Sequence, residues 1–215
     1  MGSMSSRVDR KARTRAAILR AARARFMMHG FGGATIRDVA ESAGVSVGTV
    51  HAHFCDKAGL LRACFDDQIT SAVRLGLDTL DPRLPVLDQL THLARVLFET
   101  YARHPGLSRE MLVAALFPDS PDPHLETFLA ELGSVCRAAR DRGELTRLPG
   151  DGRLAAHGWF SAYFTSLVAG LAGAFGEPGS PAALAAQVGA FRRLMALQLV
   201  GLGAPVSVLQ PPERP

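Results

Sequence analysis

Thr35, Arg37, Ser46, Thr49, His51, His53 and Lys57 place hydroxyl, guanidinium, imidazole and ammonium donors within one short stretch of chain. Donors of these kinds suit phosphate oxygens and the edges of nucleic-acid bases. Val47 in the same stretch can meet a thymine methyl, and Gly48 allows a close approach of backbone to a groove floor. Ile36 and Val47 stand where two short helices would begin, and backbone N–H groups at helix starts favour phosphate oxygens.

Other chemistries fit less well. His51, His53 and Cys55 alternate in the manner of metal ligands, but residues two apart on a helix do not face each other, so a His51/Cys55 pair is the most a helix offers. Cys55 and Cys64 are candidates for a thiol sensor, although the odd total of three cysteines, with Cys136, reads more simply as free thiols in a reducing compartment. The chain holds no HExxH, no GxGxxG and no phosphate loop, and its scattered His, Asp and Ser residues specify no catalytic triad, so no enzyme is expected. No catalytic residue, metal ligand or cofactor is assigned.

The elements that must position these donors are helical. Ile18, Ala22 and Phe26 recur on one face of a segment from Arg13 to His29 that Gly30 can end. Thr35 and Asp38 cap a helix over Ile36 to Ala43, Gly44 breaks it, and Ser46 caps another from Val47 to about Phe54. Val39 and Ala43 on the first and Val50 and Phe54 on the second can pack the pair together. This leaves Val47, Gly48, Thr49, His51 and His53 facing outward. Asp56 caps a fourth helix carrying Leu60, Leu61 and Phe65 inward. Longer helices are expected over Leu84–Arg103, Gly106–Phe117, His124–Arg142, Gly152–Phe175 and Ala182–Leu202, parted by Pro- and Gly-rich turns. The fold class is all-α, since no segment alternates as a strand does.

Charge follows the same division. Residues 1–60 hold eight arginines and two lysines against four acids, a net +6, and the remainder carries −2. A basic end on a near-neutral body is the pattern of a chain whose one end meets a polyanion.

With these features in view, the segment from Arg13 to Leu61 resembles the DNA-binding domain of the TetR family of bacterial regulators. The resemblance rests on Thr35-Ile36-Arg37-Asp38-Val39-Ala40, Ala43-Gly44-Val45-Ser46, Gly48-Thr49-Val50 and the ending Phe54, Lys57, Leu60-Leu61. One departure is His51, where the family usually has a tyrosine that contacts the DNA backbone.

The resemblance implies a transcriptional regulator, most often a repressor, that binds double-stranded operator DNA as a homodimer and answers to a small-molecule effector. The alternatives are a constitutive DNA-binding regulator and a thiol sensor. It implies domains at 11–62 for DNA binding and 63–203 for effector binding and dimerisation; Met1-Gly2-Ser3 before Met4 reads as a cloning remnant leading a flexible basic arm at 1–10, and the Pro-rich 204–215 reads as a disordered tail. It also places the dimer interface in the last two helices, with Gly158, Ala162, Leu184, Val188, Phe191 and Met195 as candidates. Phe98, Tyr101, Phe117, Phe128, Trp159, Phe160, Tyr163 and Phe164 are candidates to line a largely apolar effector site. From Leu154 to Gly176 no residue is charged, a length that can span a bilayer, but His157, Ser161, Thr165, Ser166 and several glycines favour a buried helix over an anchor. No membrane partner and a cytoplasmic location are expected.

Overall fold

The computed structural model describes residues 2–115 and 123–209. Its described residues form nine α-helices: α1 (Gly2–Gly33), α2 (Ile36–Ala43), α3 (Val47–His53), α4 (Lys57–Asp78), α5 (Val86–Ala102), α6 (Pro105–Ala115), α7 (Pro123–Asp141), α8 (Arg153–Leu171) and α9 (Pro181–Gly201). A 3-10 turn follows at Val206–Leu209. The helices divide into two compact units. The first holds α1, α2, α3, α4 as far as Ile69, and α6; the second holds α4 from Thr70 onward, α5, α7, α8 and α9.

In the first unit, Ile18, Ala22 and Phe26 of α1 are buried with Val39, Ala40, Val50, Phe54, Leu60 and Leu61, so the apolar positions expected to face inward do so. Removing a side chain the size of Phe26 from water is worth about 1.5–3 kcal/mol. α1 begins at Gly2 rather than Arg13, because no proline lies between Ser3 and Arg13 to stop it. Its helical conformation is broken at Gly30 (φ 68°, ψ 173°), a backbone setting open to glycine alone.

In the second unit α5 packs on α9, α7 on α8, and α8 on α9. Pro85 precedes α5 without a side-chain cap, and the Glu144 carboxylate, 58 residues away, accepts the Val86 N–H at 2.7 Å instead. Asp88 of α5 and Arg192 of α9 pair at 2.5 Å. α8 stops at Leu171, four residues before the expected Phe175. Gly173 (φ 86°) turns left-handed there, and its N–H and that of Ala174 bond back to the carbonyls of Gly170 and Ala169.

Candidate nucleic-acid interface

The ends of α2 and α3 are closed by side chains and turns close by in the chain. The Thr35 hydroxyl accepts the Asp38 N–H at 3.1 Å and donates to the Asp38 carboxylate at 2.7 Å, and that carboxylate also accepts the Thr35 N–H at 3.1 Å. These bonds hold the Asp38 carboxyl below its ordinary pKa, the Thr35 hydroxyl contributing most. Gly44 (φ 66°) ends α2, with its N–H on the Glu41 carbonyl and the Val45 N–H on the Ala40 carbonyl. Ser46 then caps α3 by accepting the Thr49 N–H at 3.1 Å, and the two hydroxyls lie 2.9 Å apart.

Gly44-Val45-Ser46-Val47-Gly48 spells G-x-S-x-G, the pattern of a nucleophile elbow. No strand leads into it here, and Ser46 is the cap of a helix, so the pattern is a turn between two helices.

α3 is anchored by Val50, wholly buried, and closed by Phe54. The rest of its surface is open: Val47 is 41 % exposed, Gly48 and His51 are exposed, and Thr49 and His53 are half-buried. Arg37 is exposed and Ile36 half-buried on α2. A Cβ on Gly48 would find nothing nearer than Ser46 Oγ at 3.8 Å, so the fold itself does not require glycine there. Lys57 is less free than its sequence position suggests. Its ammonium lies 4.5 Å from the Phe31 ring centroid and donates to the Gly32 carbonyl at 3.4 Å. Arg15 of α1, which sequence reasoning does not single out, stacks its guanidinium 5.2 Å from the Phe54 ring centroid at the end of α3.

The aromatic candidates of the second unit come together as packed core. Tyr163 lies parallel to both Phe98 and Trp159 at 5.1 and 5.0 Å between centroids, and Phe128 and Phe191 stand edge-on to Trp159. Trp159 Nε1 donates to the Leu90 carbonyl at 3.0 Å. Burial, with Tyr101 beside it, pushes the Tyr163 phenol well above its ordinary pKa. Phe160, Phe164 and Tyr101 are half-buried, and Phe117 lies outside the described residues.

Residues 18–64 match the family described as bacterial regulatory proteins, tetR family. The similarity covers α2, α3 and the adjoining parts of α1 and α4. Solved structures agree along most of the chain's length. RolR in complex with resorcinol is 17 % identical with a TM-score of 0.66, over 97 % of this chain and 98 % of that one. FadR of Thermus thermophilus, a TetR-family transcriptional repressor in complex with lauroyl-CoA, is 25 % identical with a TM-score of 0.61, over 85 % and 93 %. FadR of Bacillus subtilis, in complex with stearoyl-CoA, is 17 % identical with a TM-score of 0.63, over 84 % and 97 %. No curated protein matches the chain.

The dimer candidates divide sharply. Phe191 (0 % exposed), Met195 (2 %) and Ala162 are enclosed by their own protomer, so these side chains are not free to meet a second one. Leu184, Val188 and Gly158 are half-buried, and a Cβ on Gly158 would lie 3.1 Å from Gln198 Oε1 of the same chain. The apolar side chains left uncovered on the two helices are Leu154 (70 % exposed) and Val168 of α8, and Leu194 and Leu197 (61 %) of α9.

Cys64 is buried, with its thiol pushed up to about 12 by that burial, whereas Cys55 is exposed, so the pair lacks the two reactive thiols a sensor needs. Among the described residues no helix is long and apolar enough to cross a membrane.

Proposed function

We propose that this chain is a TetR-family repressor that binds a two-fold symmetric operator as a homodimer, reads it with the outer face of α3, and releases it when a small, largely apolar effector binds within residues 63–203. The DNA-binding domain is residues 11–62. The observation that carries the reading is α3 itself, held by one buried side chain, Val50, and presenting Val47, Gly48 and His51 to solvent on the basic end of the chain. In a two-fold dimer the two copies of α3 would stand about 34–36 Å apart, one turn of duplex DNA.

The open leucines and valine of α8 and α9 support dimerisation, since a second protomer packed on these helices would remove them from water. Leu154, Val168, Leu194 and Leu197 therefore replace Phe191, Met195 and Ala162 as the proposed contacts. Ser46, Thr49 and Arg37 join His51, His53 and Lys57 as DNA contacts, with Thr35 and Ile36 as the start of α2. The uncharged stretch from Leu154 to Gly176 and the aromatic cluster around Trp159 support an apolar effector. Effector coupling of about 1–3 kcal/mol would change operator affinity 5- to 150-fold.

The discriminating variant is Gly48→Ala. The space around Gly48 predicts a folded protein, with α3 favoured by up to about 1 kcal/mol over glycine. DNA affinity, measured by fluorescence anisotropy, should nonetheless fall or shift in sequence preference. Undiminished binding to every duplex tried would remove α3 from the interface. Light scattering of Leu197→Glu should show monomer where the parent is a dimer.

A further inference from the structure

We propose that the grip of this regulator on DNA is gated by protons on α3 and tightens as pH falls. The inference rests on the reading that α3 meets DNA. From Gly44 to Cys55 the chain has no Asp, Glu, Lys or Arg, so His51 and His53, both in the last turn of α3, are the only side chains able to give this helix a positive charge. His51 is exposed and makes no hydrogen bond or ion pair among the described residues, and the half-buried His53 ring lies 6.3 Å from that of Phe54. Imidazole changes charge between pH 5 and 8, and a cation at a helix C-terminus is favoured by the helix dipole.

The neighbouring elements bring mostly fixed charges that are already occupied. On α1, Arg15 lies over Phe54. On α2, Asp38 is held by Thr35, while Arg37 and Glu41 are exposed and of opposite sign. At the start of α4, the Asp56 carboxylate accepts the Gly59 N–H at 2.6 Å and Lys57 lies over Phe31. Protonation at His51 or His53 therefore brings positive charge to a helix whose other side chains carry none. Binding to phosphates favours the protonated form of an imidazole, so affinity rises as pH falls.

Anisotropy titrations of the full chain with a labelled mixed-sequence duplex of about 30 base pairs, long enough for two half-sites a turn apart, test this. At constant ionic strength, affinity should be about tenfold higher near pH 6 than near pH 8, and the salt dependence steeper by about 0.9 for each further phosphate neutralised. The double variant His51→Gln/His53→Gln should lose both the pH response and the steeper salt slope. His51→Lys should keep at pH 8 much of the affinity the parent shows only at low pH, with circular dichroism checking that each variant folds. A parent that binds equally well at both pH values, or a pH response that survives in the double variant and so belongs to another group such as His29, would overturn the proposal. A parent that binds no duplex at any pH would instead overturn the DNA-binding reading beneath it.

Discussion

Between Thr35 and Gly59 the helix ends are closed locally: Thr35 by Asp38, α2 by Gly44, α3 by Ser46, and the start of α4 by Asp56. Between Pro85 and Gly203 the ties reach across the fold. Glu144 closes α5, Trp159 bonds to Leu90, Arg192 to Asp88, and Gln187 Nε2 to the Ser166 carbonyl. In the first region α3 itself contributes one wholly buried side chain, Val50, and local caps fix where the short helices begin and end. The second has ample apolar area and uses polar groups to fix which helix meets which. The chain thus keeps α2 and α3 short, with much of α3 open, while a ring-stacked unit holds the larger share of the buried side chains.

The largest test of that contrast is Trp159→Ala. Trp159 is fully buried among Tyr163, Phe128 and Phe191, and its loss also leaves the Leu90 carbonyl without its donor. Urea unfolding followed by circular dichroism should show a loss of about 3–5 kcal/mol. A loss near that of a helix cap would mean the stacked rings count for little. Gly152→Ala comes next. Gly152 sits at φ 81°, and a Cβ there would lie 2.6 Å from the Gly133 carbonyl oxygen, a backbone atom that cannot swing aside. Left-handed strain and a forced shift of α7 against the start of α8 should together cost about 3 kcal/mol.

The same contrast explains what the chain can be read to say. Caps act within three or four residues, so Thr35, Gly44, Ser46 and Asp56 carry their own signatures, and the helix-turn-helix is legible from Arg13 to Leu61. The pairings Glu144 with Val86 and Asp88 with Arg192 span 58 and 104 residues and leave no local trace. α9 misleads for a related reason. It is apolar on nearly every side, so periodicity does not tell that Phe191 and Met195 turn inward and that Leu194 and Leu197 stay uncovered. Arg15 is hidden among the other arginines of α1 because only the fold brings Phe54 to it.

Thr35→Ala tests the local half of the comparison. It removes the hydroxyl that accepts the Asp38 N–H and donates to the Asp38 carboxylate, leaving only the backbone N–H bond to that carboxylate, and thermal unfolding should show a loss of about 1 kcal/mol. The effect carries a pH signature. Because the Asp38 carboxyl is held below its ordinary pKa in the folded chain, its contribution is present above the unfolded value of about 3.9 and is lost as pH falls through the lower folded value. Thr35→Ala should therefore flatten the acid limb of the stability curve. An unchanged acid limb would show that Asp38 draws its stabilisation from elsewhere.

The finest test applies one substitution to both regions and asks for opposite signs. Ser46 is exposed and its hydroxyl accepts the Thr49 N–H, so Ser46→Ala opens the start of α3 and should cost about 1 kcal/mol. Ser166 is buried in α8 with no partner for its Oγ among the described residues, while its carbonyl accepts Gln187 Nε2, a bond that alanine leaves in place. Ser166→Ala removes a buried hydroxyl that gains nothing in the folded state and puts a better helix former there. It should leave stability unchanged or raise it by up to about 1 kcal/mol. Urea unfolding read by the fluorescence of Trp159, the single tryptophan, reports on the unit that holds Ser166. A clear loss on Ser166→Ala would mean that the hydroxyl has a partner, such as a buried water. The two regions would then differ in how far their hydrogen bonds reach, and not in whether buried hydroxyls are tolerated unpaired.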